Sequence, residues 1–247
     1  MPGDGVIAVA IAIGAVGLAK AAKTYWGREG RAQRALAARP RSRIHGASGE
    51  RLRVVGRVRR QTETLRAPIS GRPCVAFQAF IDEHGGDEWR NRLSLRGARS
   101  FVIIDDSGEA LVDTGGPYEL SLVTDQRGST GLLGTMGSAQ LQAVRSYLGL
   151  GAPGARGAPR LRYREAVLQE GQQVAVGGSG SQVVSGQAPS AGRREPPRWL
   201  VLRGTANETL LISNWLRAIG GRWFARDARP QRASASTSVA TKKATET

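Results

Sequence analysis

The sequence has only one cysteine, Cys74, and two histidines, His45 and His84, among 247 residues. A single cysteine excludes an internal disulfide and any zinc site that needs several thiolates. The cysteine content therefore does not indicate whether the protein belongs to an oxidising or a reducing compartment. Aromatic residues are also scarce, at 5% of the chain. The 33 glycines and 11 prolines favour a domain with many turns over a helical bundle.

Acidic residues are few compared with basic ones. The chain has 20 Asp or Glu against 36 Lys or Arg, and its net charge is +16. This charge suggests an anionic partner, either nucleic acid or an anionic lipid surface. Between Lys20 and Arg66 there are 14 basic and three acidic residues. Because this excess directly follows an apolar stretch, it favours membrane lipids as the partner.

The apolar stretch covers residues 5–19, which carry no charge, and it reaches residue 22 if the side chain of Lys20 snorkels. We predict a transmembrane helix over residues 5–22. The positive residues after its apolar core define a membrane-proximal basic collar: Lys20, Lys23, Arg28, Arg31 and Arg34.

The distribution of charge also predicts how the chain lies in the membrane. The alternatives are a cleaved signal peptide and a buried helix of a soluble protein. A signal peptide requires positive residues before the apolar stretch, and only Met1–Asp4 precede it. By the positive-inside rule, the N-terminus lies outside and the globular domain lies in the cytoplasm, as in a single-pass membrane protein. Small residues at four-residue spacing, such as Ala8 and Ala12, permit self-association of the membrane helix.

The composition divides the remaining chain. We predict an N-terminal tip (1–4), the transmembrane helix (5–22), a basic juxtamembrane linker (23–49), a β-rich domain (50–225) with a flexible Gly-, Ser- and Pro-rich excursion (178–197), and a disordered tail (226–247).

Short alternating segments predict that the domain is mainly β. Residues 51–60 place apolar side chains on one face and arginines on the other, with Gly56 as a bulge. Residues 101–113 are typical of a hairpin that turns at Asp105–Gly108. Residues 164–178 predict two strands joined by a glycine turn. The spacing favours a small antiparallel barrel or sandwich with one or two helices, preceded by the transmembrane helix.

Two segments have helical periodicity. Residues 138–148 place Leu141, Val144 and Leu148 on one stripe, with Ser138 as the N-cap. Residues 207–224 form the second candidate, which either packs on the barrel or lies on the membrane surface.

Three stretches together resemble one family. They are "APISGRPCVAFQAFI" (67–81), "FVIIDDSGEALVD" (101–113) and "LRYREAVLQEGQQVAVGG" (161–178). Their order and spacing are similar to those of the membrane-proximal domain of the GIDE or MULAN type, named for a mitochondrial E3 ubiquitin ligase. The resemblance covers about residues 50–180 and implies a β-rich domain beside a membrane.

The resemblance also implies ubiquitin transfer, which in that family belongs to a C-terminal RING finger with two zinc ions. One cysteine and two histidines are too few for a RING finger. A second membrane span, usual in the family, is also missing. The chain is therefore expected to be a short member that lacks the RING finger, and whether it is an enzyme stays open.

Most candidate sites have a simple structural interpretation. Cys74 follows Pro73 at a corner and is expected to be buried rather than nucleophilic. The acidic cluster at residues 81–89 is interpreted as an exposed hairpin tip, with metal binding as the alternative. Residues 149–154 match G-x-G-x-x-G but follow a helix, which argues against a dinucleotide site. Asp105 and Asp106 are interpreted as turn-forming residues, and a pair of catalytic carboxylates is the alternative.

We therefore expect a non-catalytic binding or scaffold module at the membrane, with no catalytic residue, metal or cofactor, and with anionic lipid and an unidentified protein as partners. An E3 ubiquitin transferase by family resemblance, or another enzyme such as a hydrolase, is the second hypothesis. The third is a nucleic-acid-binding β-barrel that uses the arginines of residues 51–60. Nucleic acid is disfavoured because the aromatic residues in strands are expected to be buried.

Overall fold

A computed structural model describes residues 28–61, 64–131, 134–151, 159–184 and 198–220. The predicted transmembrane helix, the collar residues Lys20 and Lys23, and the predicted tail lie outside these residues. Within the described ranges, no helix has the length and hydropathy needed to cross a bilayer.

The described chain is mainly β, with fourteen strands and three helices among these residues. The strands are β1 (Arg41–Ser42), β2 (Gly49–Arg60), β3 (Leu65–Arg66), β4 (Pro73–Cys74), β5 (Ala76–Gly85), β6 (Glu88–Ala98), β7 (Phe101–Asp105), β8 (Gly108–Asp113), β9 (Tyr118–Ser121), β10 (Gln126–Ser129), β11 (Leu161–Leu168), β12 (Gln173–Val184), β13 (Arg198–Arg203) and β14 (Leu210–Ser213). The helices are α1 (Arg28–Ala37), α2 (Ser138–Tyr147) and α3 (Leu216–Ile219).

Five of the strands close into a barrel in the order β2-β7-β8-β13-β12, because β12 pairs back to β2. The predicted barrel is confirmed, but it is not wholly antiparallel: β8 and β13 run parallel. In chain order the barrel strands are arranged first, second, third, fifth, fourth, which is the Greek-key order of OB-type barrels. Its interior forms the main core, whose fully buried residues include Phe101, Ile103, Leu200 and Leu202.

A second layer is built from the two long connections of the barrel. The chain between β2 and β7 contributes β5 and β6, and the chain between β8 and β12 contributes β10 and β11. These four form an antiparallel sheet in the order β10-β11-β5-β6. The two strands predicted within residues 164–178 are therefore confirmed as part of β11 and the start of β12, but they belong to different sheets.

The predicted linker at residues 23–49 is wrong from Arg28 onward, because this segment is part of the folded domain. In α1, Leu36 is fully buried in an apolar cluster on the outside of the barrel that includes Val55 and Ala175. The Arg39 guanidinium lies 2.6 Å from the Glu208 carboxylate, and both side chains are almost buried. Farther along, Ile44 lies in the main core.

Two other predicted boundaries need correction. The excursion at 178–197 does not begin at residue 178, because β12 continues to Val184 and pairs with β13. Residues 207–224 are not one helix: Ile212 lies in β14 with its side chain in the main core, and only the single-turn α3 follows. Ile212 and Leu216, which have helical spacing, therefore belong to a fully buried strand and to a separate short helix. Residues 221–224 lie outside the described chain.

The helix at 138–148 is confirmed as α2, and Val144 is its buried residue. Ser138 is not its cap, because the N-cap is Gly137 without a side-chain hydrogen bond. Gly56 is not a bulge either. It pairs in regular register with Val174, and a Cβ there would lie 2.6 Å from the carbonyl oxygen of Ile104. Glycine is needed at this position for the close approach of two barrel strands.

Candidate functional site

Cys74 is a buried structural residue in this fold. It is 1% exposed, and its thiol sulfur lies 3.7 Å from the carbonyl oxygen of Leu65 across the β3–β4 pair. Burial, followed by the negative charge of Glu165, raises the pKa of the Cys74 thiol to about 11, and Arg72 opposes this only in part. A neutral, enclosed thiol is a poor nucleophile at neutral pH.

The loop before Cys74 is fixed by a carboxylate from another motif. Glu165 of β11 is fully buried, and its two oxygens accept hydrogen bonds from the backbone N–H groups of Ile69 (2.9 Å) and Ser70 (3.2 Å). Arg72 makes a bidentate contact with Asp125, at 2.7 and 2.9 Å. The hydrogen bond with Asp125 is the main reason why the pKa of the Arg72 guanidinium is raised. These contacts join the first motif stretch (67–81) to the third (161–178). The buried Glu165 carboxylate is not accessible to a substrate.

Asp105 has the role of a turn former. Its Oδ1 accepts hydrogen bonds from the backbone N–H groups of Ser107 and Gly108 and from the Ser107 hydroxyl, at 2.6–3.0 Å, while Oδ2 accepts one from the backbone N–H of Ile44. Burial works against the carboxylate, but these hydrogen bonds outweigh it and lower the pKa of Asp105. Asp106 is exposed beside it. The predicted hairpin is confirmed by the pairing of Asp105 with Gly108.

The segment 81–89 forms the predicted hairpin tip between β5 and β6, where Gly85 pairs with Glu88. Among the described residues, no group of three or more His, Cys, Asp or Glu side chains is placed to hold a metal ion. The His84 ring instead meets the Trp89 ring edge-on, with centroids 5.1 Å apart. Of the G-x-G-x-x-G match at 149–154, residues 152–154 lie outside the described chain.

The arginines of residues 51–60 are largely used inside the fold. The guanidinium of Arg53 is buried and donates to the Ala37 carbonyl oxygen at the end of α1, and burial and Arg41 lower its pKa. Arg59 makes two hydrogen bonds to Glu109, which raise its pKa, and Arg60 pairs with Glu170. The basic strand face predicted for nucleic acid is therefore not a free row of charges.

Of the basic collar, Arg28 begins α1, Arg31 is exposed on this helix and Arg34 is half-buried. The collar's described part is thus continuous with the folded domain.

A different basic surface is present on the four-stranded sheet. One face of this sheet is covered by α2, through a cluster that includes Ile81, Val144, Leu161 and Tyr163. The opposite face is open to solvent at one end. We call the following residues the open face: Phe80, Asp82, His84, Trp89, Arg96, Arg127, Arg162 and Arg164.

On the open face, two arginine side chains lie over aromatic rings. The Arg162 guanidinium carbon lies 4.5 Å from the centroid of the Trp89 ring, and that of Arg164 lies 5.0 Å from the Phe80 centroid. Both distances are typical of cation–π contacts. Asp82 is 3% exposed, and its carboxylate is 2.8 Å from Arg162 and 3.6 Å from Arg164.

Sequence reasoning missed the open face because it expected the aromatic residues in strands to be buried. The signal was present in the alternation of Leu161 and Tyr163 with Arg162 and Arg164. The partners Phe80 and Trp89 could not be assigned to this face, because a strand pairing between β11 and β5 joins residues some 80 positions apart.

Comparison with known proteins gives no further guide to this site. No protein-family model matches the chain, and no curated protein or solved structure is significantly similar to it.

Proposed function

We propose that the protein is a single-pass, membrane-anchored binding or scaffold module without catalytic activity, with its N-terminus outside and its β domain in the cytoplasm. We further propose that this domain is a short GIDE-type member without a RING finger. The contact of Glu165 with the loop at Ile69 and Ser70 supports this assignment, since it links two of the three motif stretches.

The observation that carries the proposal is the packing of α1 on the barrel. A transmembrane helix over 5–22 leaves only residues 23–27 before α1, which is fixed by Leu36 and by the Arg39–Glu208 ion pair. A connection of five residues spans at most about 18 Å. The domain would therefore be held against the bilayer as a rigid body, with anionic lipid close to Arg31.

The absence of a catalytic role is supported by how the candidate groups are used. The Cys74 thiol is protonated and enclosed, the Asp105 carboxylate holds a turn, and the Glu165 carboxylate holds a loop. Each reactive group is thus assigned to a structural contact. No geometric observation favours ubiquitin transfer.

Membrane extraction tests the proposal. The full-length protein should stay with membranes after carbonate washing, whereas a variant without residues 1–22 should be released. Protease added to intact cells or right-side-out vesicles should leave the domain uncut, and it should cut the domain after the membrane is opened. Release of the full-length protein by carbonate would contradict the anchor, and cleavage in intact vesicles would contradict the orientation.

A further inference from the structure

The open face carries more positive than negative charge. Arg127 of β10 lies directly opposite Arg164 of β11, and both are exposed. Like charges at directly opposed positions destabilise a sheet unless an anion lies between them. Arg96 of β6 pairs with Gln78 of β5, and Gln78 is on the same side of the strand as Phe80, so Arg96 lies on the open face as well. Against these arginines the face has one acid, Asp82, whose carboxylate is already engaged by Arg162, Arg164 and the Asn91 amide.

The same surface offers flat groups for stacking. The half-buried rings of Phe80 and Trp89 lie in the sheet with a guanidinium over each of them. Guanidinium planes and aromatic rings are the two groups on which proteins stack unpaired bases. Four strands about 4.8 Å apart make a platform roughly 15 Å wide, which is enough for a few nucleotides.

We propose that the open face binds single-stranded nucleic acid, with Arg127 and Arg164 on phosphates and with the Arg162–Trp89 and Arg164–Phe80 stacks against bases. This inference rests on the proposed function, because it names the partner of the same module. It is distinct from the basic strand face of β2, where Arg53, Arg59 and Arg60 make contacts within the fold.

Other anionic partners fit the surface less well. A bilayer surface attracts arginine, but it favours aromatic side chains that project into the interface, whereas here a guanidinium group lies over each of the two rings. An acidic peptide satisfies the charges but leaves the stacking groups unused. A duplex needs an element that enters a groove, and this face is a sheet. The exposed acids Asp87 and Glu88 lie at the hairpin tip, at the end of the platform.

The test uses the full-length protein in a neutral detergent and the fluorescence anisotropy of labelled 12-nucleotide oligo-dT and oligo-U. The double variant Arg127→Gln/Arg164→Gln should weaken binding at least ten-fold. The matched control is Arg66→Gln/Arg203→Gln, which removes the same charge from two other exposed arginines and should change affinity less than three-fold. Trp89→Leu should weaken binding without changing its salt dependence, because it removes stacking but no phosphate contact. Circular dichroism verifies that each variant is folded.

Several results would overturn the inference. These are absence of oligonucleotide binding by the wild type, equal losses in the two double variants, and equally strong competition by poly-glutamate, which has charge but no bases. Binding to vesicles with 20% phosphatidylserine that is lost in the site variant, without oligonucleotide binding, would assign the face to lipid instead. None of these outcomes affects carbonate extraction, so the membrane anchor is judged separately.

Discussion

Glu165 shows how one residue can determine the conformation of a loop. Its carboxylate has no contact with solvent, yet its nearest partners are neutral backbone N–H groups rather than an ion pair, since Arg72 is 3.9 Å away. Burial of a carboxylate is costly unless hydrogen-bond donors satisfy its oxygens. The loop at Ile69 and Ser70 supplies two of them, so strand β11 and the loop depend on each other.

Replacing this carboxylate by its amide tests that dependence. In Glu165→Gln, an NH2 group would face a backbone N–H, and one buried donor would lose its acceptor. We expect a loss of about 2–4 kcal/mol in the free energy of unfolding, measured by urea unfolding in detergent. The control Glu170→Gln removes an exposed carboxylate 3.4 Å from Arg60 and should cost less than about 0.5 kcal/mol. Similar values for both variants would contradict the structural role.

Cys74 gives a prediction about pH. Its thiol has a pKa of about 11 in the folded protein against an ordinary value of 9.0, so the folded state holds the proton more tightly than the unfolded state. Its contribution to stability is complete below pH 9 and should be lost between about pH 9 and 11. The wild type should therefore lose more stability over this range than Cys74→Ala in parallel urea titrations. Identical slopes, or rapid thiol labelling of the native protein at pH 7, would count against the buried thiol.

At the scale of elements, the barrel is closed where strands approach closely. At Gly56, β2 lies so near the backbone of β7 that a Cβ would be 2.6 Å from the Ile104 carbonyl oxygen. A side chain could move away from such a contact, but a paired backbone cannot do so without opening the barrel. This is why a residue without a side chain stands in the middle of a strand that is otherwise rich in valine and arginine.

Substitution of alanine at two strand glycines isolates this effect. Gly56→Ala should lower the free energy of unfolding by about 1–3 kcal/mol through overpacking. Gly85→Ala, where the nearest atom to an added Cβ is 3.8 Å away, should be neutral or slightly stabilising, because alanine reduces the freedom of the unfolded chain. Equal effects in urea unfolding would mean that the strands of the barrel are not this close.

Local sequence patterns predicted the individual strands and helices better than they predicted how these elements are arranged. The turn at Asp105–Gly108 and the stripe of Val144 are local signals, and both predictions are confirmed. The parallel pair β8–β13 and the placement of β11 and β12 in separate sheets depend on pairings between distant residues. In the same way, arginines dominate the composition of α1, and only the burial of Ala32 and Leu36 in an apolar cluster shows that this helix belongs to the folded domain.

At the scale of the whole molecule, the proposed membrane helix at residues 5–22 would lie close to α1 along the chain. Five residues, 23–27, separate residue 22 from α1. Helix α1 packs on β9, β12, β14 and α3. Within the described residues, no flexible segment therefore separates α1 from the barrel. The net charge of +16 attracts anionic partners, lipid and nucleic acid alike. If residues 5–22 cross a membrane as proposed, the length of this connection would set the distance of the domain from the bilayer.

That distance can be measured because the chain has a single cysteine. In a Cys74→Ala background, Ala35→Cys places a label on the exposed side of α1, about 10 Å along the helix from Arg28. Energy transfer from this label to acceptor lipids in vesicles should be strong. A 30-residue Gly-Ser insertion after residue 25 adds a coil about 30 Å in mean extent and should lower the transfer markedly. The same insertion after residue 240 should leave it unchanged, whereas equal transfer in all three proteins would show that α1 is not coupled to a membrane helix at residues 5–22.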